Sequence, residues 1–341
     1  MKRKVCSLLL AALLLLTGCA AETAPAGPNR YEASFLSLFD TVTTMVGYAD
    51  SEEAFRATAQ SIHDELLTYH QLFDIYNEYP GVNNLKTVND QAGKSPVEVD
   101  RKIIDLLLFC KEMEQATGGV VNAAMGSVLV LWHEARTDGL NNPANAVLPD
   151  MEALQEAAKH TNFDDVVIDE EACTVYLSDP AMRLDVGAVA KGYAVEQVCR
   201  NAPKGLLVSV GGNVCSTGPK PDGSAWVVGL QDPDGDGNLH TVYTETGAVV
   251  TSGDYQRYYT VNGETYHHII DPDTLMPGTR WRAVSILCAD SGVADALSTA
   301  LFLLPQAEGQ SLLEQFDAEA IWLDADGNEY VSPGFTARLR T

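Results

Sequence analysis

Positive charge is scarce in this chain: 22 Lys and Arg stand against 47 Asp and Glu in 341 residues, a formal charge of −25. A protein that grips a nucleic-acid backbone needs a basic face to neutralise phosphate, so that class is excluded. Attachment to anionic lipid by charge alone is excluded for the same reason. The seven cysteines include no CxxC pair, which removes zinc ribbons and thioredoxin-like redox sites. There is no GxxxxGK[ST] phosphate loop and no GxGxxG dinucleotide fingerprint. No repeat with a period of about 20–50 residues recurs, so solenoids are excluded as well. Apolar residues, by contrast, are plentiful. At 46% hydrophobic and 8% aromatic, the composition is that of a chain that builds a core.

The amino terminus reads as an address. Met1-Lys2-Arg3-Lys4 precedes Val5 to Leu16, an apolar stretch too short to cross a bilayer as a stable helix. It ends in Leu16-Thr17-Gly18-Cys19, which resembles the bacterial lipobox, where small residues precede a cysteine that receives lipid. The expectation is a signal peptide over residues 1–18, lipid on Cys19, and a flexible tether over 19–30 that ends AETAPAGPNR. The mature chain would then be exported and anchored to the outer face of the membrane through that lipid. Loss of Lys2, Arg3 and Lys4 would make it still more acidic. Cys110, Cys173, Cys199, Cys215 and Cys288 remain, an odd number that sits mostly in apolar runs, and they read mainly as buried thiols.

Strand and helix periods alternate through residues 31–341 with no linker, so these form one unit that could be bilobal. Phe39 to Tyr48 is strand-like. Glu52 to Tyr69, Asp100 to Thr117 and Asp150 to His160 have helical spacing, the second with Asp100 as N-cap. Val166 to Leu177 reads as a hairpin. Leu206 to Val210, Ala225 to Leu230, Val249 to Thr251 and Ala283 to Cys288 read as buried strands, and Gly292 to Leu304 as a helix. Ala320 to Leu323 and Glu329 to Val331 form a closing hairpin. Strands joined by short turns with occasional helices predict an α+β fold with antiparallel sheets and packed helices.

Four clusters carry chemistry. Leu184 to Ala194 reads as a strand ending at Asp185, then small residues leading into a helix with Lys191, a pattern that lets an anion approach backbone amides. Thr251-Ser252-Gly253-Asp254-Tyr255 follows a buried strand and reads either as ligand contacts or as a tight turn. His267-His268-Ile269-Ile270-Asp271-Pro272 places two His on opposite faces of a strand, so that one can serve as a base in a site. Asp295 and Thr299, four residues apart on a helix, share one face and offer hard oxygens of the kind Mg²⁺ takes. Asp232 to Asn238 has alternating Asp, but Tyr243 stands where a calcium loop needs Glu, so a hairpin loop is the better reading. Tyr255, Tyr258, Tyr259 and Tyr266 read as strand aromatics of a core, or as a stacking surface.

In this order the motifs resemble those of the ApbE family of flavin transferases. The segments that carry the resemblance are LDVGAVAKGYAVE, LLVSVGGN, WVVGLQDP, VVTSGDYQRYYTVNGETYHHIIDP and VADALSTALFLLP, with weaker ones in FDIYNEYPGVNNLKTVN and TGGVVNAAMGSVLVLW. The resemblance implies a T-fold-like α+β architecture holding FAD in a cleft. It implies Mg²⁺-dependent cleavage of FAD, release of AMP, and transfer of FMN to a Thr or Ser hydroxyl of an acceptor flavoprotein such as an electron-transfer subunit. By position it implies Asp295, Thr299 and the Ala188 backbone oxygen as magnesium ligands. It further implies Asp185 and Lys191 as nucleotide contacts and His268 as the base. Phe39, Tyr76, Val120, Val121 and Asn122 would line the flavin and adenine pockets, and Thr251, Ser252, Gly253 and Ile270 would border the cleft. Asn122 stands where many relatives have Asp, and Leu275-Met276-Pro277 replaces a Gly-containing turn. Two other outcomes stay open at this level: a pyrophosphatase that gives FMN and AMP to water, and a flavin-binding lipoprotein without turnover.

Overall fold

The computed structural model describes residues 27–340. The expected signal peptide, Cys19 and most of the tether lie outside the described residues. Eight strands form one sheet: β1 (Asn29–Leu38), β2 (Thr41–Ala49), β3 (Leu206–Val210), β4 (Asn213–Ser216), β5 (Gly247–Gly253), β6 (Ala283–Cys288), β7 (Glu319–Leu323) and β8 (Glu329–Val331). Their order across the sheet is their order in the chain, and every neighbouring pair is antiparallel. The sheet is therefore a meander, and the other elements are inserted between its strands, except the short helix Pro333–Thr336 that follows the last one. Strand β1 begins at Asn29, two residues inside the segment read as tether.

Side chains alternate between the two faces of each strand. Leu206, Val208 and Val210 of β3 enter the main core, as do Ala248 and Val250 of β5 and Ala320 and Trp322 of β7. Their neighbours Leu207, Val249 and Ile321 point the other way, into a smaller cluster with Val228, Leu230, Val242 and Phe335. The hairpin of Trp226–Gln231 and Asn238–Thr244 covers that second face, and Asp232 accepts from the Asp234 amide in its loop at 2.9 Å. The hairpin reading of this loop holds.

Helices cover the first face. Of α1 (Glu52–Phe73), α2 (Arg101–Ala116), α3 (Gly126–Asn141), α4 (Ala190–Asn201) and α5 (Ser291–Leu303), α1, α4 and α5 lie against it, α2 packs against α1, and α3 belongs to a separate cluster. Helix α1 starts on the Ser51 cap and α2 on Asp100, whose carboxylate accepts from the Lys102 amide at 2.8 Å. Helix α5 is buried on nearly all sides, as a helix of such uniform apolarity must be. A third cluster, with Met125, Trp132, Leu154, Tyr259, Ile270 and Leu275, joins α3 to the hairpin of Tyr258–Val261 and Glu264–His267.

Helix α4 meets α5 at Gly192. A Cβ there would overlap the Ser291 carbonyl oxygen and the Asp295 Cβ. Close approach lets the Gly192 amide donate to Asp295 at 2.8 Å and the Ser291 amide donate to Glu196 at 2.8 Å. Gly192→Ala should force the helices apart and lower the melting temperature by about 5 °C. Thermal unfolding by circular dichroism checks this.

Candidate active site

A cavity of about 700 Å³ opens between the main core and the α3 cluster. One wall comes from α4 and α5. Asp295 is only 3% exposed, with one carboxylate oxygen on the Gly192 amide and the other 3.5 Å from the Lys191 ammonium. Thr299, one turn further along α5, lines the same wall. Helix periodicity alone puts these two side chains together.

The approach to α4 differs from expectation. No strand ends at Asp185; a lone bridge joins Arg183 to Met125. The buried Asn89 side chain instead accepts from the Leu184 amide at 2.7 Å and donates to the Leu184 carbonyl at 3.0 Å. The Asp185 amide donates to Ala123 at 2.8 Å. With its backbone groups satisfied this way, residues 184–188 form a pinned loop that brings Asp185 and Ala188 to the cavity. Asp185 accepts from the Gly187 amide at 2.8 Å. Enclosure in the protein pushes its carboxyl above the usual range, against the pull of that hydrogen bond and of His133 and Arg257.

Strand β5 supplies Thr251, Ser252 and Gly253. The Thr251 hydroxyl meets Ser285 of β6 at 2.7 Å, and the Ser252 hydroxyl ties the strand to α5 through Ser298 at 2.8 Å. Opposite lies the β1–β2 turn, where Phe39 and Asp40 both have positive φ, 52° and 53°. The strand expected from Phe39 therefore starts at Thr41. A two-residue hairpin turn of this kind favours Asn and Gly. Phe39 is held there by its amide donating to His70 Nδ1 at 3.2 Å and by its ring edge-on to His70 at 5.5 Å. A strained aromatic at a cavity mouth is the kind of outlier that marks a ligand contact.

Tyr76 is 48% exposed, and its ring stacks on His133 at 4.7 Å with an interplanar angle of 26°. Asp74 holds this loop. It accepts from the amides of Tyr76 and Asn77, from Asn77 Nδ2 and from the Tyr79 hydroxyl, at 2.6 to 3.0 Å. Val120, Val121 and Asn122 line the adjoining wall. Asn122 donates to the Thr161 carbonyl at 2.9 Å and accepts from the Ala124 amide at 2.8 Å. An ionised Asp could not make the first bond, so the amide here serves to hold the loop.

The two histidines divide as their alternation predicts. His267 ends its strand with both ring nitrogens used: Nε2 donates to Gly278 at 2.7 Å and Nδ1 accepts from Ile269 at 3.2 Å. His268 makes no such commitment and faces the cavity, where water reaches its ring although protein surrounds it. Enclosure, and then the neighbouring Arg257 guanidinium, with Lys191 and Arg136 to a lesser degree, hold its pKa below the ordinary imidazole value. It is a neutral imidazole. Ile270 is buried beside it. Leu275, in the turn that departs from the family pattern, adopts φ 59°. The turn persists because Leu275 is buried in the α3 cluster and its carbonyl accepts from Trp132 Nε1 at 2.9 Å.

All predicted site residues from Phe39 to Thr299 thus border one cavity. Sequence reasoning missed His70, Asp74, His133, Arg136 and Arg257. Asp74 and Arg257 sit inside the quoted segments FDIYNEY and SGDYQRYY. His133 and Arg136 carried only a helical spacing of three. Cys215 is buried and does not line the cavity, and among the described cysteines Cys110 and Cys199 are also buried free thiols, whereas Cys173 and Cys288 are partly exposed. Tyr259 is core, while Tyr258 is 45% exposed. Among the described residues no cluster of three His, Cys, Asp or Glu could hold a metal. The donors on offer are one carboxylate, one hydroxyl and backbone oxygens, a set that fits a hard ion retaining water and phosphate ligands.

The ApbE family profile matches residues 39–322, which include every residue of this cavity. The chain belongs to the ApbE family. It is 34% identical over 277 residues to the FAD:protein FMN transferase of Treponema pallidum, covering 75% of each chain. It is 30% identical over 275 residues to the FAD:protein FMN transferase of Klebsiella pneumoniae, covering 76% of this chain and 83% of that one. The crystal structure of the ApbE protein of Thermotoga maritima superposes with a TM-score of 0.80 at 30% identity, over 92% of this chain and all of that one. The α+β architecture is that of the family.

Asp74 supplies a pH-dependent part of the fold. Burial pulls its pKa up, but the hydrogen bonds from Asn77, Tyr76 and Tyr79 outweigh that and hold it below the usual carboxylate range. Its contribution is therefore complete above the unfolded pKa of about 4 and is lost as pH falls through the lower folded value. Asp74→Asn should cost about 1.5–3 kcal/mol at neutral pH. In thermal melts the gap between parent and variant should narrow below about pH 4.

Proposed function

We propose that this chain transfers FMN from FAD to a Thr or Ser hydroxyl of an acceptor protein and releases AMP. The carrying observation is that Lys191, His268 and the Asp295–Thr299 pair, from three separate segments, converge on one cavity large enough for a dinucleotide. Asp295, the Thr299 hydroxyl and the Ala188 carbonyl are the oxygens that would hold Mg²⁺, which when bound neutralises charge on the pyrophosphate. Lys191 adds a point charge for phosphate. Phe39, Tyr76 and residues 120–122 flank the ring systems, and Thr251, Ser252, Gly253, Ile270 and Asp185 border the ligand. His268, already neutral, accepts the proton of the acceptor hydroxyl. Export and a lipid on Cys19 would place this chemistry at the outer membrane face, where electron-transfer subunits are suitable acceptors.

Incubation with FAD, Mg²⁺ and a Thr-bearing acceptor should give a covalent FMN adduct by mass spectrometry. Free FMN in place of adduct would instead mean pyrophosphatase activity, and ligand binding with neither product would mean a flavin binder. Asp295→Ala should reduce Mg²⁺-dependent turnover by at least about 100-fold. Because the folded-state pKa of His268 is lowered, its imidazole stays neutral as pH falls. The kcat/KM profile should show no imidazole limb near pH 6.5, remaining level down to about pH 5.

A further inference from the structure

Two arginines on the cavity wall have no role in this account. Arg136 lies one turn beyond His133 on α3, with its guanidinium 3.5 Å from His133 Nδ1. Arg257 lies in the loop that follows β5, and both line the cavity. The charges around Arg136 are the Arg257 guanidinium and the Tyr76 phenol, with no carboxylate among them; burial first, and Arg257 second, lower its pKa. Arg30, Arg56, Arg101, Arg200 and Arg282 each pair with Asp or Glu; Arg183, Arg280, Arg338 and Arg340 form no ion pair among the described residues, but only Arg136 and Arg257 also line the cavity. Neither Arg136 nor Arg257 forms an ion pair among the described residues, although the Asp185 carboxylate is within electrostatic reach of Arg257, and two like charges brought to one cavity wall are a place for an anion that the protein does not itself supply. Lys191 is engaged with Asp295, on the α4–α5 wall.

The reaction provides such an anion. The acceptor oxygen forms a bond to the FMN phosphorus, the bridging P–O bond of FAD breaks, and its electron pair stays on the AMP phosphate. The hydroxyl proton goes to His268. The FMN phosphate remains a singly charged diester, while the AMP phosphate gains a second negative charge as it becomes a monoester. Charge thus develops on the leaving side, where fixed guanidinium donors stabilise it most. The stacked Tyr76–His133 pair beside Arg136 offers a flat face for a base next to that phosphate. We propose that Arg136 and Arg257 form the subsite that binds the phosphate of the departing AMP, an inference that rests on the transferase reading.

The test is calorimetric titration of the purified protein with AMP, adenosine, FMN and riboflavin, for the parent, an Arg136→Gln/Arg257→Gln double variant and Lys191→Gln. The parent should bind AMP at least about tenfold more tightly than adenosine. That preference should collapse toward unity in the double variant, persist in Lys191→Gln, and leave the preference for FMN over riboflavin unchanged. In the transfer assay the double variant should lose at least about tenfold in kcat. An unchanged AMP preference in a double variant that melts like the parent overturns the proposal. So does a loss that appears only in Lys191→Gln, or one that falls on FMN instead of AMP. An arginine-dependent AMP preference in a protein that forms no FMN adduct would remove the transferase reading and leave the phosphate subsite in place.

Discussion

The site depends on one close contact, the approach of α4 to α5 at Gly192. A glycine at that crossing lets its amide reach the buried Asp295 carboxylate, and the hydrogen bond offsets the cost of removing that charge from water. The same approach sets Lys191, the adjacent residue, against the other carboxylate oxygen. Glu196, one turn on, receives the Ser291 amide and pairs with Arg200, which in turn holds the α5 cap Asp290. These bonds join the helix pair at both ends of its contact.

Electrostatics give the cavity a character opposite to that of the whole molecule. The protein is strongly acidic, yet Lys191, Arg136 and Arg257 border one space with His268 kept neutral among them. An acidic body can bind an anionic dinucleotide when its few cations are concentrated where the phosphates lie. The lowered pKa of His268 is a consequence of that concentration as well as of enclosure.

Loops around the cavity are held by polar side chains that are buried or partly buried. Asn89 clamps both backbone groups of Leu184, Asp74 holds the turn that presents Tyr76, and Asn122 ties its loop to Thr161. Phe39 and Leu275 occupy left-handed backbone positions that disfavour their side chains, and packing against His70 and the α3 cluster keeps them there. Of the two turns, only that of Phe39 lines the cavity.

Hydrophobic periodicity was enough to find most strands, helices α1, α2 and α5 and the α+β class, because burial of alternate or every third and fourth side chain is a local property of the sequence; it did not find α3 or the first strand, Asn29–Leu38. The i, i+4 spacing likewise joined Asp295 to Thr299, and the ordered motifs pointed to the family and to His268. The segment before α4 misled: its apolar residues read as a strand, but its backbone partners are Asn89 and Ala123, far away in the chain. The same reason hid Arg136, Arg257, His133 and Asp74. A bare guanidinium pair, or a carboxylate that gathers a loop, exists only when separate elements meet. The elements and their chemistry are written in local order. Which charges stay unpaired, and which of them face the cavity, was decided by tertiary structure, because hydrogen-bond and ion-pair partners are chosen by distance in space.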